Sequence, residues 1–114
     1  METVTTEIGK AAARVALVGR LDMAGAEIAA VPLATLASTK QGLIIDMREV
    51  SFIASTGIRH LVLAAKTQLR RGGRIVLLNP NSQVVEVLRT AELTTLLPIV
   101  HSEVDAISAI GLTG

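Results

Sequence analysis

The sequence predicts an α/β domain: a mixed, largely parallel β-sheet of four to five strands covered by about four helices. Two observations carry this. Short apolar runs alternate with longer segments whose apolar residues recur at helical spacing, in the order β-β-α-β-α-β-α-β-α. The run Leu43-Ile44-Ile45-Asp46-Met47 is also too uniformly apolar for an edge strand, so it is read as a buried central one. At 114 residues the chain is long enough for one core but not two, and residues 1–114 are read as one domain.

The elements follow in order. Val4 to Ile8 alternates weakly, Gly9-Lys10 turns the chain, and Arg14 to Val18 completes a hairpin closed by Gly19-Arg20-Leu21-Asp22. Ala24 to Ala37 is Ala-rich, with Asp22 placed to cap it. Pro32 falls inside that segment, where it costs about 3 kcal/mol in a regular helix, so a kink or two short helices are expected. Lys40-Gln41-Gly42 ends the segment before the central strand. A short loop follows Met47, and Ser55-Thr56-Gly57 opens a helix with Ile58, Leu61, Val62, Ala65 and Leu69 on its apolar face. Arg71-Gly72-Gly73 stops it, since glycine suits the left-handed cap. Arg74 to Leu78 is the next buried strand, and Asn79 to Ser82 forms a turn that offers a cap. Val84, Val85, Leu88 and Ala91 mark a third helix ending near Glu92. Leu96 to Val100, interrupted by Pro98, is placed at a sheet edge. Ser102 caps a last helix that turns Val104, Ile107 and Ile110 inward.

Composition narrows the function. Half the residues are hydrophobic and only 18% charged, which excludes a disordered chain. Phe52 is the only aromatic residue, so there is no stacking platform for single-stranded nucleic acid. A net charge of +1 leaves no electrostatic footprint for DNA or a membrane surface. No cysteine is present, no apolar run nears the roughly 20 residues that span a bilayer, and the N-terminus lacks the blocks of a signal peptide. A cytoplasmic protein that does not insert in membranes is the default reading. His60 and His101 stand alone, without other ligand types at metal spacing, and no catalytic triad order or glycine-rich phosphate loop is found. No cofactor is implied, and an enzyme working through Asp22 and Asp46 is the weakest of the functional readings.

The candidate site is where the central strand hands over to the second helix. Asp22, Asp46 and the Ser55-Thr56 turn are all placed on the rim at the carboxyl ends of the strands, the favoured functional rim of such sheets. A hydroxyl at a helix start caps it by accepting a free N–H. The same place favours an added anion, so Thr56 is either a cap or a phosphate acceptor. Gly57 allows close backbone approach beside it. Asp22 and Asp46 either order the loop or help position a kinase's nucleotide and metal. Arg59, Lys66 and Arg70 share a helix face with Leu63 between them, which is either a solvated basic stripe or a partner face.

Taken together, Gly19-Arg20-Leu21-Asp22, Leu43-Ile44-Ile45-Asp46, Val50-Ser51-Phe52-Ile53-Ala54-Ser55-Thr56-Gly57 and Ser82-Gln83-Val84-Val85-Glu86-Val87-Leu88 make the sequence resemble the STAS domain family. Within it, the chain is similar to the small stand-alone anti-sigma factor antagonists of bacteria. The resemblance covers nearly the whole chain. It implies a partner-switching regulator: a GHKL-type serine kinase that is also an anti-sigma factor phosphorylates the hydroxyl residue before the glycine. The unphosphorylated protein binds that kinase and frees the sigma factor, and a PP2C-type phosphatase resets the cycle. Mapped onto this chain the acceptor is Thr56, with Ser55 the alternative, and the partner-binding set is Asp22, Asp46, Ser55, Thr56, Gly57, Arg59 and Leu63. The chain departs from the family pattern at Ala54, usually aspartate, at Thr56, more often serine, and at Arg59, where a small residue is usual. Similar domains also serve as accessory subunits of membrane transport complexes such as lipid-transport ATPases, which is the alternative function. A homodimer is compatible with either.

Overall fold

In the computed structural model, which describes residues 1–111, five strands form one sheet in the order β1-β2-β3-β4-β5. Strands β1 (Glu2–Ile8) and β2 (Ala12–Leu21) make the expected antiparallel hairpin, turned at Gly9 with φ +61°. The remaining neighbours, β2 with β3 (Gly42–Ile53), β3 with β4 (Arg74–Leu78) and β4 with β5 (Ile99–Val100), are parallel. Leu43 to Met47 is buried in the middle of the sheet, and β5 is a two-residue edge.

The sheet is covered unequally. On one face lie α1 (Met23–Thr39), α2 (Ser55–Arg70) and α3 (Ser82–Thr90), packed over Val15, Leu17, Leu43, Ile45, Met47 and Leu77. On the other face α4 (Glu103–Ile110) sets Ala106 and Ile110 against Ala12, Ile44, Val76 and Leu78. The central strands β3 and β4 therefore send alternate residues to two cores, as the pleat requires. Asn81 caps α3 through the Val84 N–H, and Ser102 caps α4 through the Asp105 N–H.

Several boundaries differ from the sequence reading. Strand β3 does not stop at Met47 for a loop but runs on to Ile53, pairing with a β2 that continues through Gly19 to Leu21. Two bulges accommodate this: β3 uses two more residues than β2 between the Ala16–Asp46 and Leu21–Ile53 pairs. Such insertions bend a strand and break its alternation, which hid it from a period-two pattern. Helix α1 is one continuous helix despite Pro32. Burial of Ala26, Ala29, Leu33, Leu36 and Ala37 along its inner stripe offsets the lost backbone bond. Helix α3 ends at Thr90, and Glu92 follows it with φ +59°. In α4 the small Ala106 and Ile110 face the sheet, leaving Val104 and Ile107 exposed instead of inward. In α2, Leu69 is exposed and Gln68 takes the inner position.

Gln68 and Arg71 explain how α1 ends. The Gln68 Nε2 donates to the carbonyls of Ala37 at 2.9 Å and Lys40 at 2.8 Å, and Arg71 Nη1 donates to the same two at 3.0 and 2.7 Å. These are carbonyls a helix end leaves without partners, so α2 closes α1 from the side.

Candidate functional site

The paired ends of β2 and β3 build the site. Leu21 and Ile53 are in register, and the Ala54 N–H continues the ladder by donating to the Leu21 carbonyl at 3.0 Å. The chain then leaves each strand directly into a helix, so the starts of α1 and α2 lie side by side. Gly57 sits where a side chain has no room: a Cβ there would lie 2.6 Å from Leu21 Cγ and 2.7 Å from the Leu21 carbonyl oxygen. This is the close approach expected of that glycine.

Asp22 is the N-cap of α1, its Oδ1 accepting the Gly25 N–H at 2.9 Å. That bond holds the carboxyl below its ordinary range; desolvation opposes it, and Arg20 at 3.4 Å adds a lesser lowering. The guanidinium of Arg20 also lies 4.4 Å over the ring of Phe52, tying the two extended strands together beyond their bulges.

Neither hydroxyl caps α2, contrary to the cap reading. Ala54 holds the N-cap position in extended backbone and offers no side-chain acceptor, so Ser55 and Thr56 are the first two helical residues. Their hydroxyls have opposite fates. Ser55 is exposed, whereas Thr56 is half-buried and its Oγ1 is enclosed without a hydrogen-bond partner among the described residues. The first turn of α2 therefore presents backbone N–H groups that no side chain satisfies, the arrangement that favours an anion. Replacing Ala54 by Asp should supply the missing cap. We expect A54D to raise stability by about 1 kcal/mol, read as a higher urea midpoint at unchanged slope.

Arg59 and Leu63 follow on α2 and are exposed, as are Lys66 and Arg70. None of these three cations has an ion-pair partner among the described residues. Leu63 and His60 border a shallow groove against Ala30 and Ala34 of α1. Met23, the first residue of α1 and 68% exposed, adds an apolar contact at the same end, which the sequence reading missed.

Asp46 is not part of this group. It lies seven residues upstream of Ile53 and on the α4 face, in alternation with Ile44 and against Ile45 and Met47 on the other. Its carboxylate accepts the Arg48 guanidinium at 2.7 and 3.0 Å and the Arg48 N–H at 3.1 Å, while Arg14 pairs with Glu103 beside it. Placing it on the rim with Asp22 presupposed that β3 ended there. Burial pushes its pKa up, but the Arg48 bonds outweigh this and the net shift is downward. A carboxyl whose pKa falls on folding stabilises the protein above its unfolded pKa and loses that contribution as pH drops through the folded one. We expect Asp46→Asn to lower stability at neutral pH and to flatten the decline below about pH 4, measured by urea unfolding across the acid range.

Among the described residues no helix is long and apolar enough to cross a membrane. The STAS domain family model matches residues 3–106. No curated protein sequence matches the chain. Solved structures share the fold at low identity. The Bacillus anti-sigma factor antagonist SpoIIAA in its unphosphorylated form superposes with a TM-score of 0.82 at 21% identity, over 99% of this chain and 100% of that one. An anti-sigma factor antagonist from Mycobacterium paratuberculosis gives 0.84 at 20% identity, over 96% and 92%. The murine anion transporter Slc26a9 gives 0.73 at 22% identity, covering 93% of this chain but 21% of the transporter. At these identities the neighbours establish the fold, and the family match over 3–106 establishes membership: the chain belongs to the STAS domain family.

Proposed function

We propose that this protein is an anti-sigma factor antagonist of a partner-switching pathway in the cytoplasm. In its unphosphorylated form it binds an anti-sigma serine/threonine kinase of the GHKL type, and phosphorylation at Thr56 releases it. A PP2C-type phosphatase restores the binding form. The protein is the substrate of phosphorylation and not a catalyst.

The observation that carries the reading is the unsatisfied first turn of α2 beneath Thr56, beside exposed Ser55, Met23, Arg59 and Leu63. The Thr56 hydroxyl reaches a kinase by a χ1 turn, and threonine in a helix divides between two such rotamers. A phosphate there gains the N–H groups of the turn and the helix dipole, so the fold tolerates it. The same group adds about −1.5 to −2 charges to a contact surface, where its bulk and desolvation oppose binding. Asp22 acts structurally by fixing the start of α1. Asp46, on the other sheet face, anchors the strand and does not touch the kinase. That SpoIIAA is solved in both unphosphorylated and phosphorylated forms supports this choice over a transport role. Affinity capture with the unphosphorylated protein from its own cells tests it. Recovery of a serine kinase with anti-sigma activity is expected, whereas recovery of a transport ATPase subunit in its place would overturn the reading.

A further inference from the structure

The opposite end of α2 borders a separate cleft. A cleft of about 730 Å³ opens between the last turns of α2, the start of β4 and the segment after α3. Ala65, Leu69, Ile75, Leu93, Leu96 and Pro98 give it apolar walls, and Arg74 and Glu92 stand in its lining. No ion pair within 4 Å joins those two charges to each other or to another described residue.

An independent feature lies in the same wall. Gln68 is fully buried, and its amide orientation is fixed because Nε2 faces two carbonyl oxygens, of Ala37 and Lys40. Its Oε1 must then point the other way, toward Gly73, and it has no hydrogen-bond partner among the described residues. Gly73 also lines the cleft, and a Cβ on it would collide with that oxygen. That oxygen is closed off from the cleft, so Gln68 and Gly73 form its back wall without offering it a hydrogen bond.

We propose that this cleft binds a small apolar zwitterion, of the class of a hydrophobic dipeptide. Its carboxylate pairs with Arg74, its ammonium with Glu92, and its aliphatic side chains lie on Leu69, Leu93 and Leu96. An apolar cleft with a few convergent polar groups is the usual form of a small-molecule site, and the volume falls in the usual range. Opposite charges that are not spent on each other select a ligand carrying both.

The test is a heteronuclear NMR titration of the intact protein with the dipeptide Leu-Leu, with octanoate as the comparison. Saturable shifts in the amides of Gly72, Gly73, Leu93 and Thr95 are expected, with those of Ser55 to Ile58 unmoved. Arg74→Gln should weaken Leu-Leu binding about tenfold or more, as loss of a charge-assisted bond does. Thr95→Trp, which places a ring at the exposed mouth of the cleft, should abolish it while the rest of the spectrum stays native. Absence of saturable shifts at millimolar Leu-Leu, indifference to R74Q, or equal binding of octanoate would each overturn the assignment.

Discussion

Replacing Thr56 by Asp is expected to weaken binding to the partner kinase by roughly a hundredfold, about 3 kcal/mol, while the protein stays folded. The position of Thr56 decides both effects. At the start of α2 the added carboxylate meets free N–H groups and the positive end of the dipole, so the isolated domain gains rather than loses. At the interface it is a new charge that must be stripped of water without a partner. Thr56→Val should do the reverse. Valine has the shape of threonine, and it replaces a buried oxygen that has no partner by a methyl group. We expect T56V to bind as tightly as the parent, to resist phosphorylation, and to be more stable by about 1 kcal/mol. Calorimetric titration against the kinase and urea unfolding separate the two effects. Equal kinase affinity for T56D and T56V would show that Thr56 lies outside the contact.

The second large effect is on stability. Gly57→Val is expected to cost about 3 kcal/mol or more, a large share of the 5–15 kcal/mol that holds a typical domain together. Gly57 meets the fully buried Leu21 with no space for a Cβ, and both the Leu21 side chain and its carbonyl are in the way. That carbonyl accepts the Ala54 N–H, so moving it also disturbs the ladder that joins the two strand ends. Alanine is the sharper probe. Its better helix propensity favours it by about 1 kcal/mol, but overpacking costs about 1–3 kcal/mol. We expect G57A to be destabilised on balance, with a lower urea midpoint at unchanged slope. A stabilised G57A would mean that α2 and β2 separate easily and that the site is not held as described.

The parts of this molecule visible in the sequence were those where one physical signal dominates. Leu43 to Met47 is apolar throughout because both its faces are covered, and so it read as the central strand. Asp22, Asn81 and Ser102 bond to N–H groups three residues on, a local interaction whose spacing is written in the chain. Where the answer depended on distant partners, the sequence was silent or misleading. Arg48 to Ile53 mixes charge with apolar residues, and its strand character comes from a bulged pairing with β2. Asp46 sits among apolar neighbours like a strand terminus, yet Arg48 and α4 hold it on the second face. Gln68 would be placed in solvent by polarity alone. Its burial follows from the end of α1, thirty-one residues away. At the candidate site, the position of Thr56 in the first turn was legible, while the enclosure of its hydroxyl was not, because that depends on how α1 and α2 meet.

Mass-spectrometric phosphosite mapping of the protein isolated from its own cells, in growth and under stress, tests the central claim most directly. The account predicts a phosphate on Thr56 whose occupancy changes between the two conditions, with Ser55 unmodified. Thr56 unmodified in both conditions, with a transport ATPase subunit co-purifying, would contradict the switch and move the function to transport.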